Sequence, residues 1–344
     1  MTRRIEDYAM IGDCETAALV GRDGSIDWLC WPRFDSDACF AALLGDRENG
    51  HWQIVPDVPI REVRRRYRKN TMILETVFET EHGVVSITDF MPPRDHMSDV
   101  VRLVDGLQGE VPVRMEFIVR FGYGHLIPWV TRADDGALVA VAGPDKVILR
   151  TPVALHAQGF TTVSRFIVRA GEEMPFVLAY VPSHLPSPPP LDPRKALART
   201  ERFWRTWARK AQVRGPHVDL VNRSLITLKA LTYAPTGGLV AAPTTSLPEQ
   251  FGGPRNWDYR YCWIRDATLT LLALMNARFY DEASAWTNWL HRAVAGSPKD
   301  MQIMYGLSGE RRLFEWQADW LAGFCDSRPV RIGNAAHSQF QIDV

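Results

Sequence analysis

Residues 181–193, VPSHLPSPPPLDP, constrain this chain more than any other stretch, because six prolines in thirteen positions remove backbone donors and fix φ. Neither a strand nor a helix crosses such a run, so it reads as an extended linker. The hydrophobic period changes across it. Before it, short alternating apolar runs are punctuated by turn signals, which is the pattern of strands. After it, apolar positions recur at helical spacing. A length of 344 residues fits the same division into two cores.

The first part reads as a series of hairpins. TAALVGRDGSIDWLCW turns at residues 21–24, TMILETVFET and VVSITDF are separated by His82 and Gly83, and VVRLVDGL is expected to fold back against VPVRMEFIVRFGY. VILRTPVALHAQ, FTTVSRFIV and MPFVLAYVP continue the pattern, so residues 1–181 predict an antiparallel β-sandwich. Residues 182–215 then hold the linker and a bridging helix. Asp192 is placed to cap it, Pro193 takes its first position, and Leu197, Trp204, Trp207, Ala208 and Ala211 form its apolar face. Over residues 216–344 the spacing predicts helices at 217–233, from Asp266, from Asp281 to a stop at Gly296, and from Asn334 through Val344.

Forty basic residues balance forty acidic ones. That balance removes any global electrostatic case for nucleic acid, an anionic membrane or a polyanionic substrate, and leaves a neutral ligand as the natural partner. No apolar run approaches the roughly 20 residues of a membrane span, and the amino terminus lacks the apolar core of a signal peptide, so a cytoplasmic protein is expected. Cys14, Cys30, Cys39, Cys262 and Cys325 are odd in number and widely spaced, the pattern of free thiols. The histidines show no metal-ligand spacing, and no metal or other cofactor is expected. The basic run REVRRRYRKN, residues 61–70, reads as a solvated hairpin face. Trp28, Trp31 and Phe34 read as packing residues.

Residues 241–267, AAPTTSLPEQFGGPRNWDYRYCWIRDA, form a connection far longer than helices usually need, and such loops carry function. Trp257, Tyr259, Tyr261 and Trp263 alternate at period two, so an extended backbone sends all four rings to one side. That side would make a wall for the flat apolar face of a sugar. Arg265 and Asp266 add a donor fork and a double acceptor, the pair needed to grip neighbouring hydroxyls. Two plainer readings stand beside this one: Asp266 as a helix cap, and the aromatic run as packing inside a helical domain.

The stretch NWDYRYCWIRDA, with AAPTTSLPE before it, resembles the first sugar-binding block of glycoside hydrolase family 15, the glucoamylase and bacterial trehalase group. IEDYAMIGDCETAALVGRDGSIDWLCWPRFDS is similar to the amino-terminal domain of its trehalase-like members, and QIMYGLSGERRLFEW with SRPVRIGNAAHSQFQIDV also resembles the family. The resemblance implies an α-glucoside hydrolase that works with inversion, and an (α/α) toroid after the β-sandwich, here truncated to its first helices. It implies that Arg265 and Asp266 hold the innermost glucose, with Tyr259 beneath that ring and Trp263 lining the pocket. Trp257 and Tyr261 complete the wall, and residues 328–334, with Arg331 and Asn334 as ligands, supply another side.

Inversion needs two carboxyl groups roughly 6.5 to 9.5 Å apart. The family places both later than the RPVRIGN block, so they are expected beyond Val344, and the chain by itself is expected to be inactive. Within the chain, an adjacent arginine and a helix start favour the ionised form of Asp266, whereas a general acid must keep its proton. Asp258, Glu249, Glu315 and Asp319 show no pairing in their spacing. An unfinished barrel is expected to leave apolar faces such as Trp286 and Trp289 uncovered. A glucan-binding module without catalysis is the alternative, and the sequence gives no sign of oligomeric state.

Overall fold

Gly106 and Gly109 lie inside one continuous strand, Ser98–Ile118, of 21 residues. The expected hairpin between VVRLVDGL and VPVRMEFIVRFGY is therefore absent, and the two runs are halves of this strand. The glycines that read as a turn serve close backbone approach instead. A Cβ at Gly106 would stand 2.1 Å from the Arg169 carbonyl oxygen, and one at Gly109, where φ is +70°, would stand 2.1 Å from that of His82. In the computed structural model, which describes residues 4–95, 97–294 and 296–339, this strand organises the first of two units.

That first unit comprises residues 1–13, 18–32 and 37–204. The first half of the long strand pairs antiparallel with Glu173–Pro182 and Gly83–Phe90, and the second half with His51–Pro56 and Thr161–Arg169. Both sets of strands contribute to one apolar cluster, with Trp52, Ile54 and Phe117 from one and Ile87, Val104 and Leu178 from the other. The fully buried Arg102 donates to Asp89 at 2.7 Å and to the carbonyls of Trp52 and Gly24, so the core charge is paired and hydrogen-bonded.

The hairpin at residues 21–24 forms as expected, joining Ala17–Gly21 to Ser25–Cys30. So does the one joining Leu74–Thr80 to Gly83–Phe90. The basic run 61–70 lies on the exposed strand Ile60–Tyr67 and its following turn, where Arg61, Arg64 and Arg66 face Glu81, Glu79 and Glu75 across a hairpin. Trp28, Trp31 and Phe34 are buried. Asp192 caps the helix Pro193–Ala208, accepting from the Arg194 and Lys195 amides at 3.1 and 3.0 Å.

The second unit comprises residues 14–17, 33–36 and 205–344. Its helices Val218–Ala230, Ile264–Asn276 and Tyr280–Ala293 meet around the buried Glu282, which accepts from Trp207 Nε1 at 2.5 Å and pairs with Lys229 at 3.1 Å. Trp207 also stacks on Phe279, with ring centroids 4.0 Å apart. Trp286 and Trp289 are buried, contrary to expectation, and Trp289 Nε1 donates to the Leu307 carbonyl at 2.9 Å. Leu220, Leu269 and Leu272 are among the apolar side chains left in solvent.

The last expected helix is also corrected. Asn334 does cap a turn, accepting from the Ala336 amide, but the turn is a single 3-10 element, Ala335–Ser338, after which Gln339 is extended. Residues 340–344 of that expectation lie outside the described residues. Among the described residues, no helix is long and apolar enough to cross a membrane. All five cysteines are free thiols.

Candidate functional site

The long connection is an extended strip, as the alternation of its aromatic residues implies. Thr245–Pro248 pairs with Asn256–Asp258, and the Ala241 and Ala242 amides donate to the carbonyls of Tyr261 and Tyr259 at 3.1 and 2.9 Å. Cys262–Trp263 then pairs with Met304–Tyr305. Backbone donors and acceptors along the strip are thereby met without a helix, and β-branched or aromatic residues suit the resulting pleat.

The period-two alternation of exposure holds for Trp257, Tyr259 and Tyr261 but not for Trp263, and its other face is the informative one. Trp257, Tyr259 and Tyr261 are partly exposed, while Asn256, Asp258, Arg260 and Cys262 between them are fully buried. Asp258 and Arg260 form a two-pronged ion pair, with Arg260 Nε donating to Oδ1 at 2.9 Å and Nη2 to Oδ2 at 2.7 Å. Arg260 also donates to the carbonyls of Phe34 and Ser36, and Asp258 Oδ2 accepts from the Gly333 amide at 3.0 Å. One buried pair thus ties the strip to segments roughly 75 and 225 positions away. Sequence reasoning weighed Asp258 only as a spare carboxylate and passed over Arg260. The signal that could have found them is the same alternation, which puts both on the face opposite the rings.

Tyr259 and Trp263 stand with ring centroids 6.1 Å apart at 46°, and with Tyr261 they join Ile303, Met304 and Leu313 in one cluster. Burial pushes the phenols of Tyr259 and Tyr261 above their ordinary range, reinforced by Glu249 and Asp266 for the first and by Asp258 for the second, so both stay hydrogen-bond donors. Trp263 is itself buried, and its Nε1 has no hydrogen-bond partner among the described residues. It precedes the helix Ile264–Asn276 directly, so Asp266 lies inside the first turn and makes no cap. Arg265 Nη2 donates to Asp266 Oδ2 at 3.2 Å, and both side chains are about two-fifths exposed, at 42% and 38%. A donor fork and a carboxylate are therefore presented to solvent at a helix N-terminus, one residue beyond the aromatic strip.

Arg331 and Asn334 lie behind the strip. The Arg331 guanidinium sits 4.4 Å over the Trp257 ring, donates to the carbonyls of Pro254 and Asn256, and pairs with Glu315 at 3.4 Å. Its backbone carbonyl accepts from the hydroxyls of Thr245 and Ser246. Asn334 donates to the Asp258 carbonyl at 2.9 Å. Of the eight residues singled out, the structure gathers Tyr259, Tyr261 and Trp263 in one cluster followed directly by Arg265 and Asp266, while Arg331 and Asn334 brace Trp257 and Asp258.

A cavity of about 540 Å³ in the first unit, between Arg132, Arg150, Pro175 and Leu191, has different chemistry. Its two arginines are already engaged with the carbonyls of Leu155 and Pro188. Among the described residues, no group of three or more histidine, cysteine, aspartate or glutamate side chains is placed to hold a metal.

Residues 1–183 match the family model described as trehalase-like, N-terminal, and residues 215–344 match glycosyl hydrolases family 15. A trehalase of Mycolicibacterium smegmatis is 34% identical over 371 residues, covering 99% of this chain and 55% of the relative. A trehalase of Thermoplasma volcanium is 32% identical, again covering 99% and 55%. The chain therefore spans about half the length of these relatives. A crystal structure of a bacterial glucoamylase complexed with acarbose aligns over 90% of this chain and 53% of that one, with a TM-score of 0.62 at 11% identity, which is a likeness of fold.

Proposed function

The chain belongs to the trehalase-like, N-terminal family over residues 1–183 and to glycosyl hydrolases family 15 over residues 215–344, and from that premise we propose that it is the sugar-gripping part of an α-glucoside hydrolase. The substrate in this reading carries a terminal α-linked glucose, as in trehalose or a malto-oligosaccharide. The observation that carries the proposal is the arrangement of Tyr259, Tyr261 and Trp263 as one aromatic cluster followed without a break by the exposed Arg265–Asp266 pair.

Each part has a task that its chemistry fits. The rings take the apolar face of a pyranose. The Arg265 guanidinium donates to hydroxyl oxygens and the Asp266 carboxylate accepts from hydroxyl hydrogens, which fixes the glucose by direction as well as by shape. The protonated phenols of Tyr259 and Tyr261 can donate in the same place. Neutral hydroxyls suit a chain with no net charge.

Cleavage in this proposal is a single displacement. One carboxylic acid protonates the departing glycosidic oxygen while a carboxylate takes a proton from the attacking water, so the anomeric carbon inverts. This reading does not assign those two roles to the carboxylates around the strip. In the second unit, Asp258 is committed to Arg260, Glu249 to Arg255 at 2.8 Å, and Glu315 to Arg331 and the Ala335 amide. Cytoplasmic action belongs to the same reading and is supported by the five free thiols.

Calorimetric titration of the chain with trehalose and with maltose, paired with an assay for released glucose, tests both parts. Binding without turnover is the expected result. If neither sugar binds, the sugar-gripping role is lost. If the chain alone releases glucose, the acid and base lie within it.

A further inference from the structure

Arg33 and Asp35 are joined in the same way as Asp258 and Arg260. They stand two positions apart, and Arg33 Nε donates to Asp35 Oδ1 at 2.9 Å while Nη2 donates to Oδ2 at 2.8 Å. Both belong to residues 33–36, which come from early in the chain and yet are part of the second unit, as are residues 14–17. The segment is closed on itself. The Arg33 amide donates to Ser36 Oγ at 3.1 Å, and the Ser36 amide donates to the Arg33 carbonyl at 3.2 Å. It is also fastened outward, with Arg33 Nη1 donating to Ser308 Oγ at 3.1 Å and Nη2 to Glu310 at 3.2 Å. The guanidinium lies 5.4 Å from the centre of the Tyr233 ring.

What this segment offers the strip is two carbonyls. Those of Phe34 and Ser36 accept from Arg260 Nη1 at 3.3 and 2.9 Å. A guanidinium is a rigid planar fork, so the acceptors on one side of it decide where its other donors point. Arg260 then holds Asp258, and the alternation of the strip turns Tyr259 and Tyr261 to the opposite face. Burial raises the Tyr261 phenol most and Asp258 next, against Arg260, and Asp35 and Glu310 add to it. The Arg33 cluster therefore lies within electrostatic reach of that ring. The Arg33 side chain is only 27% exposed and engages two carboxylates, a hydroxyl and an aromatic ring at once, which fixes its place from several directions.

We propose that Arg33 is a positioning residue for the sugar-gripping strip. It holds residues 33–36 in the shape in which the Phe34 and Ser36 carbonyls receive Arg260, and it acts on Tyr259 and Tyr261 through Arg260 and Asp258. The role rests on the sugar-gripping reading of the strip and adds to it a contribution from the early part of the chain.

Hydrogen exchange and calorimetry on the full chain test the proposal with Arg33→Met and Arg33→Lys. In Arg33→Met, exchange at the Ala241, Ala242 and Arg260 amides, all bonded within the strip, should quicken about tenfold, and maltose affinity should fall about tenfold. Exchange in the helix Val218–Ala230 should stay as it is. Arg33→Lys keeps the charge but not the fork and should recover only part of each loss. If Arg33→Met does not fold, the lysine variant carries the same readings. If lysine recovers everything, charge alone suffices and the positioning role is overturned. Equal quickening of strip and helix would make Arg33 a general stabiliser and overturn it too, as would an unchanged strip, or a quickened strip in a chain whose maltose affinity does not move. If the unaltered chain binds no maltose, the sugar-gripping reading falls by itself and exchange decides alone: quickening confined to the strip upholds the brace, and unchanged exchange removes it.

Discussion

Asp258 and Arg260 are two positions apart on an extended strip, fully buried, and joined by hydrogen bonds of 2.7 and 2.9 Å. Side chains at that spacing share a face, so the pair needs no chain reversal to form. Its buried polar atoms are further met by carbonyls of Phe34 and Ser36 and by the Gly333 amide. The face carrying Trp257, Tyr259 and Tyr261 is therefore held open by charge burial on the other side.

Breaking that pair is expected to be expensive. Asp258→Ala leaves a buried guanidinium uncompensated and should destabilise the second unit by about 3–5 kcal/mol. Replacing both residues, as Asp258→Leu with Arg260→Met, should recover a large part of the loss, because the remaining charge is removed with its partner. Urea denaturation of the single and double variants checks this. A single-variant cost below about 1 kcal/mol would mean that the pair does not hold the strip.

Arg265→Ala and Asp266→Ala should do the reverse, weakening sugar binding while sparing the fold. Their ion pair is about two-fifths exposed on each side, so its own contribution to stability is small, between about 0 and 1 kcal/mol. Each lost charged hydrogen bond to a hydroxyl should weaken trehalose or maltose binding by about 1.5–3 kcal/mol, roughly ten- to hundredfold. Calorimetry beside thermal melts separates the two effects. Unchanged affinity in both variants would remove these residues from the site.

Asp99, in the first unit, gives a pH dependence of known sign. Burial, and then the charge of Asp13, push its carboxyl up to about 6, with Arg150 and Arg94 opposing. A carboxyl whose folded pKa is raised favours the folded state while protonated. That advantage is complete below the unfolded value near 3.9 and is lost as pH rises through about 6. Asp99→Asn should therefore stabilise the first unit by roughly 2–3 kcal/mol at pH 8 and change little at pH 3.5. Melting curves at the two pH values check it, and an equal shift at both would contradict the assignment.

Gly109 should not tolerate a side chain. At φ +70° with the His82 carbonyl oxygen 2.1 Å from an added Cβ, Gly109→Ala combines backbone strain with a clash against the turn that precedes Gly83–Phe90. The expected cost exceeds about 2 kcal/mol, whereas Gly136→Ala, where φ is +82° but no atom lies within 4 Å, should cost about 1–2 kcal/mol. Equal destabilisation would show that the close approach of the His82 carbonyl at Gly109 adds nothing.

Much of this molecule is legible along the chain. The proline run separates strand period from helical period, Asp192 marks a helix start, and the alternation through Trp257, Tyr259 and Tyr261 puts the rings on one side. All of these depend on neighbours within a few residues, where φ/ψ preference and side-chain spacing act directly. Other features were decided at a distance. Gly106 and Gly109 have the local signature of a turn, yet the carbonyls of His82 and Arg169 fill the space that a reversal would leave. Trp289 is covered where its Nε1 meets the Leu307 carbonyl, Trp286 lies beside it, and Arg331 turns to Trp257 and Glu315 instead of remaining free. Local periodicity fixes which residues share a face. Which face is buried depends on segments far away in sequence, since only they can satisfy or exclude what that face carries.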